Sequence, residues 1–215
     1  MIRLYSYFRS SAAFRVRIAL NLKGVPYEVV PIHLLKGGGE QFGEQYVRTN
    51  PLSLIPALED AGQVLFQSLA IIEYLDERYP EPALLPSDPL SRAYARAVAL
   101  TIACDIHPLN NLRVLRYLVR ELGVSDQDKD AWYRHWVELG LEQLERVVVS
   151  SGRSGRFALG DQVTIADLAI VPQIFNARRF GCDLAKAPTL SGIADRCMQL
   201  DAFARAQPSA QPDAE

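Results

Sequence analysis

Apolar and polar positions alternate over short stretches in the first part of the chain and give way to helical periodicity afterwards. Residues 2–7 read as a strand. Residues 11–23 read as a helix whose Phe14, Ile18 and Leu22 share one face at spacings of four, stopped by Gly24 and Pro26. A second apolar strand is expected over residues 27–34, followed by Lys36-Gly37-Gly38-Gly39-Glu40 as a flexible loop. Two more strands, 55–59 and 64–67, are joined by a turn at Asp60-Ala61-Gly62, and Ser68 is placed to cap a helix running to about Tyr79. The predicted order is β-α-β-(α)-β-β-α. Pro80 ends that helix, and the proline-rich stretch to Pro89 marks a domain boundary. From Leu90 onward the pattern is helical.

Within the helical part, Gly160-Asp161-Gln162-Val163-Thr164-Ile165-Ala166-Asp167 reads as a helix start. Thr164 caps the N–H of Asp167, the Asp167 carboxylate reaches back, and Val163 and Leu168 stand as a hydrophobic staple, a device worth about 1 kcal/mol. The segment from Gln207 to Glu215, rich in Pro, Ala and small polar residues, is expected to be mobile or loosely draped. No internal repeat is visible.

At 215 residues the chain allows one large domain or two small ones, and two are expected. Its 23 basic and 25 acidic residues leave a formal charge of −2, which gives no general attraction to nucleic acid or anionic membrane, so any anion recognition must be local. Cys104, Cys182 and Cys197 lack the paired spacing of a zinc site or a redox Cys-x-x-Cys, and a reduced, cytoplasmic setting without a metal is expected. The apolar stretches are too short to span a bilayer, and the start carries no signal-peptide pattern. The Gly-rich loop lacks the Gly-Lys-Ser/Thr ending of a phosphate loop.

One local anion site does stand out. Ser10 and Ser11 lie where the first strand hands over to the first helix, and unpaired N–H groups and the helix dipole favour negative charge there, a thiolate included. Either serine can also serve simply as the N-cap. Arg9 argues for a ligand, because a poorly solvated cation just before a helix N-terminus is repelled by about 0.3–1 kcal/mol unless an anion offsets it; the other reading is an exposed arginine pointing into water. Arg113, Arg116 and Arg120 fall at i, i+3 and i+7, the usual pattern of a solvated face.

The architecture, an N-terminal α/β part followed by an all-α part, resembles the cytosolic glutathione transferases. Tyr5-Ser6-Tyr7-Phe8-Arg9-Ser10-Ser11 followed by Arg15-Val16-Arg17-Ile18-Ala19-Leu20 is similar to the signature of the zeta class, the family of maleylacetoacetate isomerases. Further matches are Gln67-Ser68, Asp105-Ile106-His107-Pro108-Leu109-Asn110-Asn111, and Val171-Pro172-Gln173 leading to Arg178-Arg179-Phe180. Ala12 and Phe14 depart from the family's frequent cysteine and tryptophan, so no role for that cysteine carries over.

The resemblance implies a thioredoxin-like glutathione-binding domain over residues 1–82, an all-helical substrate-side domain over 90–212, and a homodimer. It implies that Ser10, with Ser11 as accomplice and Arg9 beside them, activates the thiol of glutathione, the only cofactor expected. Gln67 and Ser68 would hold the γ-glutamyl carboxylate, a cis Ile55-Pro56 bond would present the Ile55 backbone to the cysteinyl part, and Gln41 would meet the glycyl end. His107, Asn111 and Arg113, on a helix kinked by Pro108, are expected to add ligand contacts. Arg9 and Arg179 would clamp the two carboxylates of a small dicarboxylate substrate. The reaction implied is cis-to-trans isomerisation of a carbon–carbon double bond, by conjugate addition of the thiolate, rotation and elimination, in aromatic amino-acid breakdown. Maleylpyruvate isomerisation, a general or haloacid-processing glutathione transferase and a non-catalytic scaffold are the alternatives.

Overall fold

A computed structural model describes residues 1–215, which divide into two compact units: Met1–Leu84 with Gln199–Glu215, and Leu85–Met198. The second unit thus ends earlier than the expected 90–212, because the last residues pack with the first unit. No helix is long and apolar enough to cross a membrane.

The first unit carries a four-stranded mixed sheet in the order β2-β1-β3-β4. Its strands are β1 (Ile2–Ser6), β2 (Tyr27–Pro31), β3 (Ala57–Asp60) and β4 (Gln63–Phe66), with β1 parallel to β2 and antiparallel to β3. Helices α1 (Ser11–Leu22) and α3 (Ser68–Arg78) pack together beside it, and α2 (Glu44–Thr49) lies between β2 and β3. Leu4, Leu58, Phe14, Ile18, Leu20, Ile71 and Leu75 form the core. This is the β-α-β-(α)-β-β-α order read from the sequence, with strand ends shifted by a residue or a few, as hydrogen bonding rather than composition sets them.

In the helix at residues 11–22 every position from Ser11 to Leu20 is buried, Arg15 and Arg17 among them. Three expectations are corrected. Ser68 is not the N-cap of α3 but its first residue, the cap position falling to Gln67 at φ 69°. The Gly-rich loop is two short 3₁₀ turns organised by His33, whose Nδ1 accepts the N–H groups of Leu35 (3.1 Å) and Lys36 (2.9 Å). The C-terminal segment is tied down: the Asp213 carboxylate accepts the Phe8 N–H at 3.0 Å, and the Gln211 amide donates to the carbonyls of Arg205 (2.8 Å) and Gln207 (3.0 Å).

The second unit contains α4 (Pro89–Leu100), α5 (Leu112–Arg120), α6 (Asp126–Ser151), α7 (Ile165–Arg179) and α8 (Pro188–Met198), and the short α9 (Asp201–Ala204) follows in the first unit. Between α4 and α5 the chain does not run as one kinked helix. Thr101–Ile106 forms a π-helical turn, His107–Asn110 a 3₁₀ turn beginning at Pro108's neighbour, and Asn111 restarts the helix. Gly140 of α6 admits this π turn at close range; a Cβ there would stand 2.6 Å from Ile106. At the start of α7 the capping box forms over Thr164 and Asp167, the carboxylate accepting the N–H groups of Thr164 and Ala158, each at 2.8 Å.

Candidate active site

Strand β1 ends at Ser6, and the turn Tyr7-Phe8-Arg9 delivers Ser10 to the N-cap of α1. Ser10 takes extended backbone angles, its N–H donates to the Tyr7 carbonyl (2.9 Å), and its hydroxyl oxygen accepts the Ala13 N–H at 3.2 Å. Capping uses a lone pair and leaves the hydroxyl hydrogen to donate elsewhere. The cap therefore does not exclude a role for this serine as thiol activator. Ser11 is buried at the first position of the helix. The N–H groups of this first turn and the dipole of a twelve-residue helix face the same point.

Arg9 is exposed, with its guanidinium 4.7 Å from the ring centre of buried Phe8. Arg179, at the last position of α7, repeats the arrangement over Phe180, again at 4.7 Å. Phe180 is itself stacked on buried Tyr133, with ring centres 3.8 Å apart and planes 18° from parallel. Such stacking orients a planar guanidinium. Arg178 pairs its fork with Asp195, at 2.7 and 3.1 Å. Arg178 and Arg179 border a cavity of about 350 Å³ whose other walls, Ile174, Phe175 and Met198 among them, are apolar.

The remaining glutathione-side candidates lie in the first unit. Ile55-Pro56 is cis, and the Leu54 carbonyl just before it accepts from the Tyr46 hydroxyl (2.6 Å) and the Asn50 amide (2.8 Å), which fixes the entry to β3. Burial pushes that Tyr46 hydroxyl up to about 12, so it remains a donor. Gln67 is exposed in left-handed geometry, and the Ser68 hydroxyl accepts from buried Arg15 at 3.2 Å. Gln41 is buried, and its Oε1 has no hydrogen-bond partner within the protein. A buried amide oxygen in that condition points to a bound donor, which fits a peptide ligand at this place.

In the second unit, His107 and Asn111 are half-buried and Arg113 is exposed. The Asn111 amide oxygen accepts the Arg113 N–H (3.0 Å) as the N-cap of α5. Sequence reasoning missed Phe8, Tyr133, Arg15, Arg17 and Asp213, which hold the candidate residues from behind. Only the Arg179-Phe180 and Phe8-Arg9 adjacencies carried a signal that could have found part of this set.

Comparison with known proteins agrees with this geometry. The glutathione S-transferase N-terminal domain family matches residues 1–77. The probable maleylacetoacetate isomerase of Vibrio cholerae is 50% identical over 211 residues, 98% of this chain and 97% of that protein. A holo structure of maleylpyruvate isomerase, described as a bacterial zeta-class glutathione S-transferase, superposes with a TM-score of 0.96 at 45% identity, covering 99% of this chain and 100% of that one. The structure of maleylacetoacetate isomerase from Methylobacterium extorquens, with bound malonate and glutathione, gives 0.95 at 41% identity, covering 99% of both chains.

A thioredoxin-like sheet with a helical remainder and hydroxyls at the first helix N-terminus defines a glutathione transferase, and the chain belongs to that family. Within it the chain falls in the zeta class, among the maleylacetoacetate and maleylpyruvate isomerases.

Proposed function

We propose that this chain converts maleylacetoacetate to fumarylacetoacetate, using glutathione and returning it unconsumed. The observation that carries the reading is the pair Ser10 and Ser11 at the N-terminus of α1 with Arg9 exposed beside them. Bound glutathione supplies a thiolate that adds to the conjugated double bond and departs after rotation about the resulting single bond.

The chain's own residues do the rest. Ser10 donates its hydroxyl hydrogen to the sulfur while the positive end of the α1 dipole favours the thiol in its ionised form. Arg9 and Arg179 bind the carboxylates of the dianion, each with a fork held against a phenylalanine. Donors around the dianion meet the negative charge that grows on its carbonyl oxygen, and so favour the transition state over the substrate. Gln67 and Ser68 hold the γ-glutamyl carboxylate, the Ile55 backbone beside Pro56 pairs with the cysteinyl part, and Gln41 takes the glycyl end. His107, Asn111 and Arg113 complete the glutathione contacts. The working form is a cytoplasmic homodimer.

A second reading, maleylpyruvate as substrate, is favoured by the likeness to the maleylpyruvate isomerase structure. Loss of substrate absorbance with and without glutathione, run in parallel for both dianions, separates the two. Glutathione-dependent turnover of one dianion over the other is expected, with Arg179→Ala raising the Michaelis constant for the dianion and not for glutathione. No turnover of either would leave a haloacid or general transferase as the better account.

A further inference from the structure

Two opposite charges, from parts of the sequence far apart, converge behind the turn that carries Ser10. Arg17 is fully buried in α1. Its Nε donates to the Ala206 carbonyl at 2.9 Å, one terminal nitrogen to the Ser6 hydroxyl (3.0 Å) and the Tyr7 carbonyl (3.4 Å), and the other to the Phe8 carbonyl (3.0 Å). From the opposite direction the Asp213 carboxylate accepts the Phe8 N–H at 3.0 Å. The carbonyls on both sides of Phe8 and its own N–H are therefore held by charged partners, which form the stronger class of hydrogen bond.

We propose that Arg17 and Asp213 are positioning residues, which together set the Tyr7–Ser10 turn and so the aim of the Ser10 hydroxyl and the Arg9 guanidinium, without touching either substrate. This rests on the reading of Ser10 and Arg9 given above. The Ser10 N–H bonds to the Tyr7 carbonyl that Arg17 also holds, and Arg9 lies over the ring of the Phe8 whose backbone Asp213 holds. A shift at Phe8 therefore reaches both groups.

Stability alone does not explain the arrangement. Taking the Arg17 guanidinium out of water carries a large desolvation cost, which its bonds to neutral acceptors must offset. Burial lowers the Arg17 guanidinium to about 10, opposed by Tyr27 and Asp213, the titratable groups that face it, so it stays charged at neutral pH. What an apolar side chain could not supply is a planar fork reaching four acceptors on two separate segments. The Gln211 bonds to the carbonyls of Arg205 and Gln207 give the C-terminal segment the stiffness to present Asp213.

Asp213 is half-buried, which makes it the better residue to change; replacing Arg17 would loosen the core itself. The full-length wild type, Asp213→Ala and Asp213→Asn are compared by the ultraviolet absorbance of bound glutathione thiolate against pH, by kcat and KM for the dianion, and by Tm. Asp213→Ala should raise the pH midpoint of the bound thiol, raise KM for the dianion, and lower kcat by roughly ten- to a hundredfold, the scale of a small misplacement of reacting groups. Asp213→Asn keeps an oxygen for the Phe8 N–H and should recover most of the loss. A wild-type thiol midpoint and dianion KM in Asp213→Ala overturns the inference, whatever the Tm. Ser10→Ala separates the two claims. If it leaves the thiol midpoint unmoved, the reading of Ser10 fails. If it moves the midpoint and Asp213→Ala does not, only the positioning role fails.

Discussion

The Ser10 oxygen accepts the Ala13 N–H through a lone pair, and its hydrogen remains for a ligand. Substitution can separate these two contributions, because glycine is tolerated at an N-cap and alanine is not. Ser10→Ala should cost about 1 kcal/mol and lower Tm by about 2–4 °C, whereas Ser10→Gly should cost a few tenths. Turnover should fall about a hundredfold in both, as neither can donate to the sulfur. Thermal melts beside initial rates check this; activity that followed Tm from one variant to the other would reduce Ser10 to a cap. The serines and Arg9 were legible in the sequence because their placement at a strand-to-helix junction is local. The burial of Arg15 and Arg17 was not, since arginine is a residue of the surface by default and the acceptor on Ala206 lies 189 positions away from Arg17.

Among the elements, the start of α7 was read correctly and the start of α3 was not. Thr164 and Asp167 satisfy each other within one turn, so four residues suffice to specify the motif. Ser68 looked equally suited to capping, but Arg15 across the unit claims its hydroxyl and the chain enters α3 through a left-handed Gln67 instead. A positive φ at a non-glycine residue costs about 1–3 kcal/mol, which the surrounding structure must outweigh. Asp167 also predicts a pH effect. Burial raises its carboxyl from an ordinary 3.8 to about 6, outweighing the hydrogen bonds from Ala158 and Thr164 that act to lower it. With the folded value above the unfolded one, the group's contribution is complete below about pH 4 and is lost as pH rises through about 6. Relative to Asp167→Asn, which does not titrate, the wild type should therefore lose about 3 kcal/mol between acid and neutral pH. Urea denaturation across that range measures it, and a constant difference would show that the carboxyl is not strained by burial.

On the scale of the whole molecule, the first unit is closed by long-range polar ties. The Lys23 side chain, fully buried at the end of α1, donates to the Asp76 carboxylate and the Pro82 carbonyl, each at 2.6 Å, and Asp76 in turn accepts the Leu84 N–H at 2.7 Å. One ammonium thus joins α1, α3 and the proline-rich connection. Lys23→Met should destabilise the chain by about 3 kcal/mol, because it strips a largely buried carboxylate of its cation. Asp76→Asn added to Lys23→Met should restore part of the loss, read as Tm in a double-mutant cycle; simple additivity would show the pair to be uncoupled.

The sequence by itself determined what a few neighbouring residues can decide through backbone angles and short-range hydrogen bonds. Those features are the alternating strands and helices, the proline-rich boundary, the serines at the first helix start and the Thr164–Asp167 cap. The tertiary structure alone decided which charges are buried and what they hold. Arg17 and Asp213 meet behind one turn, Arg15 takes Ser68, and the C-terminal segment joins the first unit. The reason is that desolvation and pairing of a charge depend on which distant segments are packed around it, and local pattern carries no record of that packing.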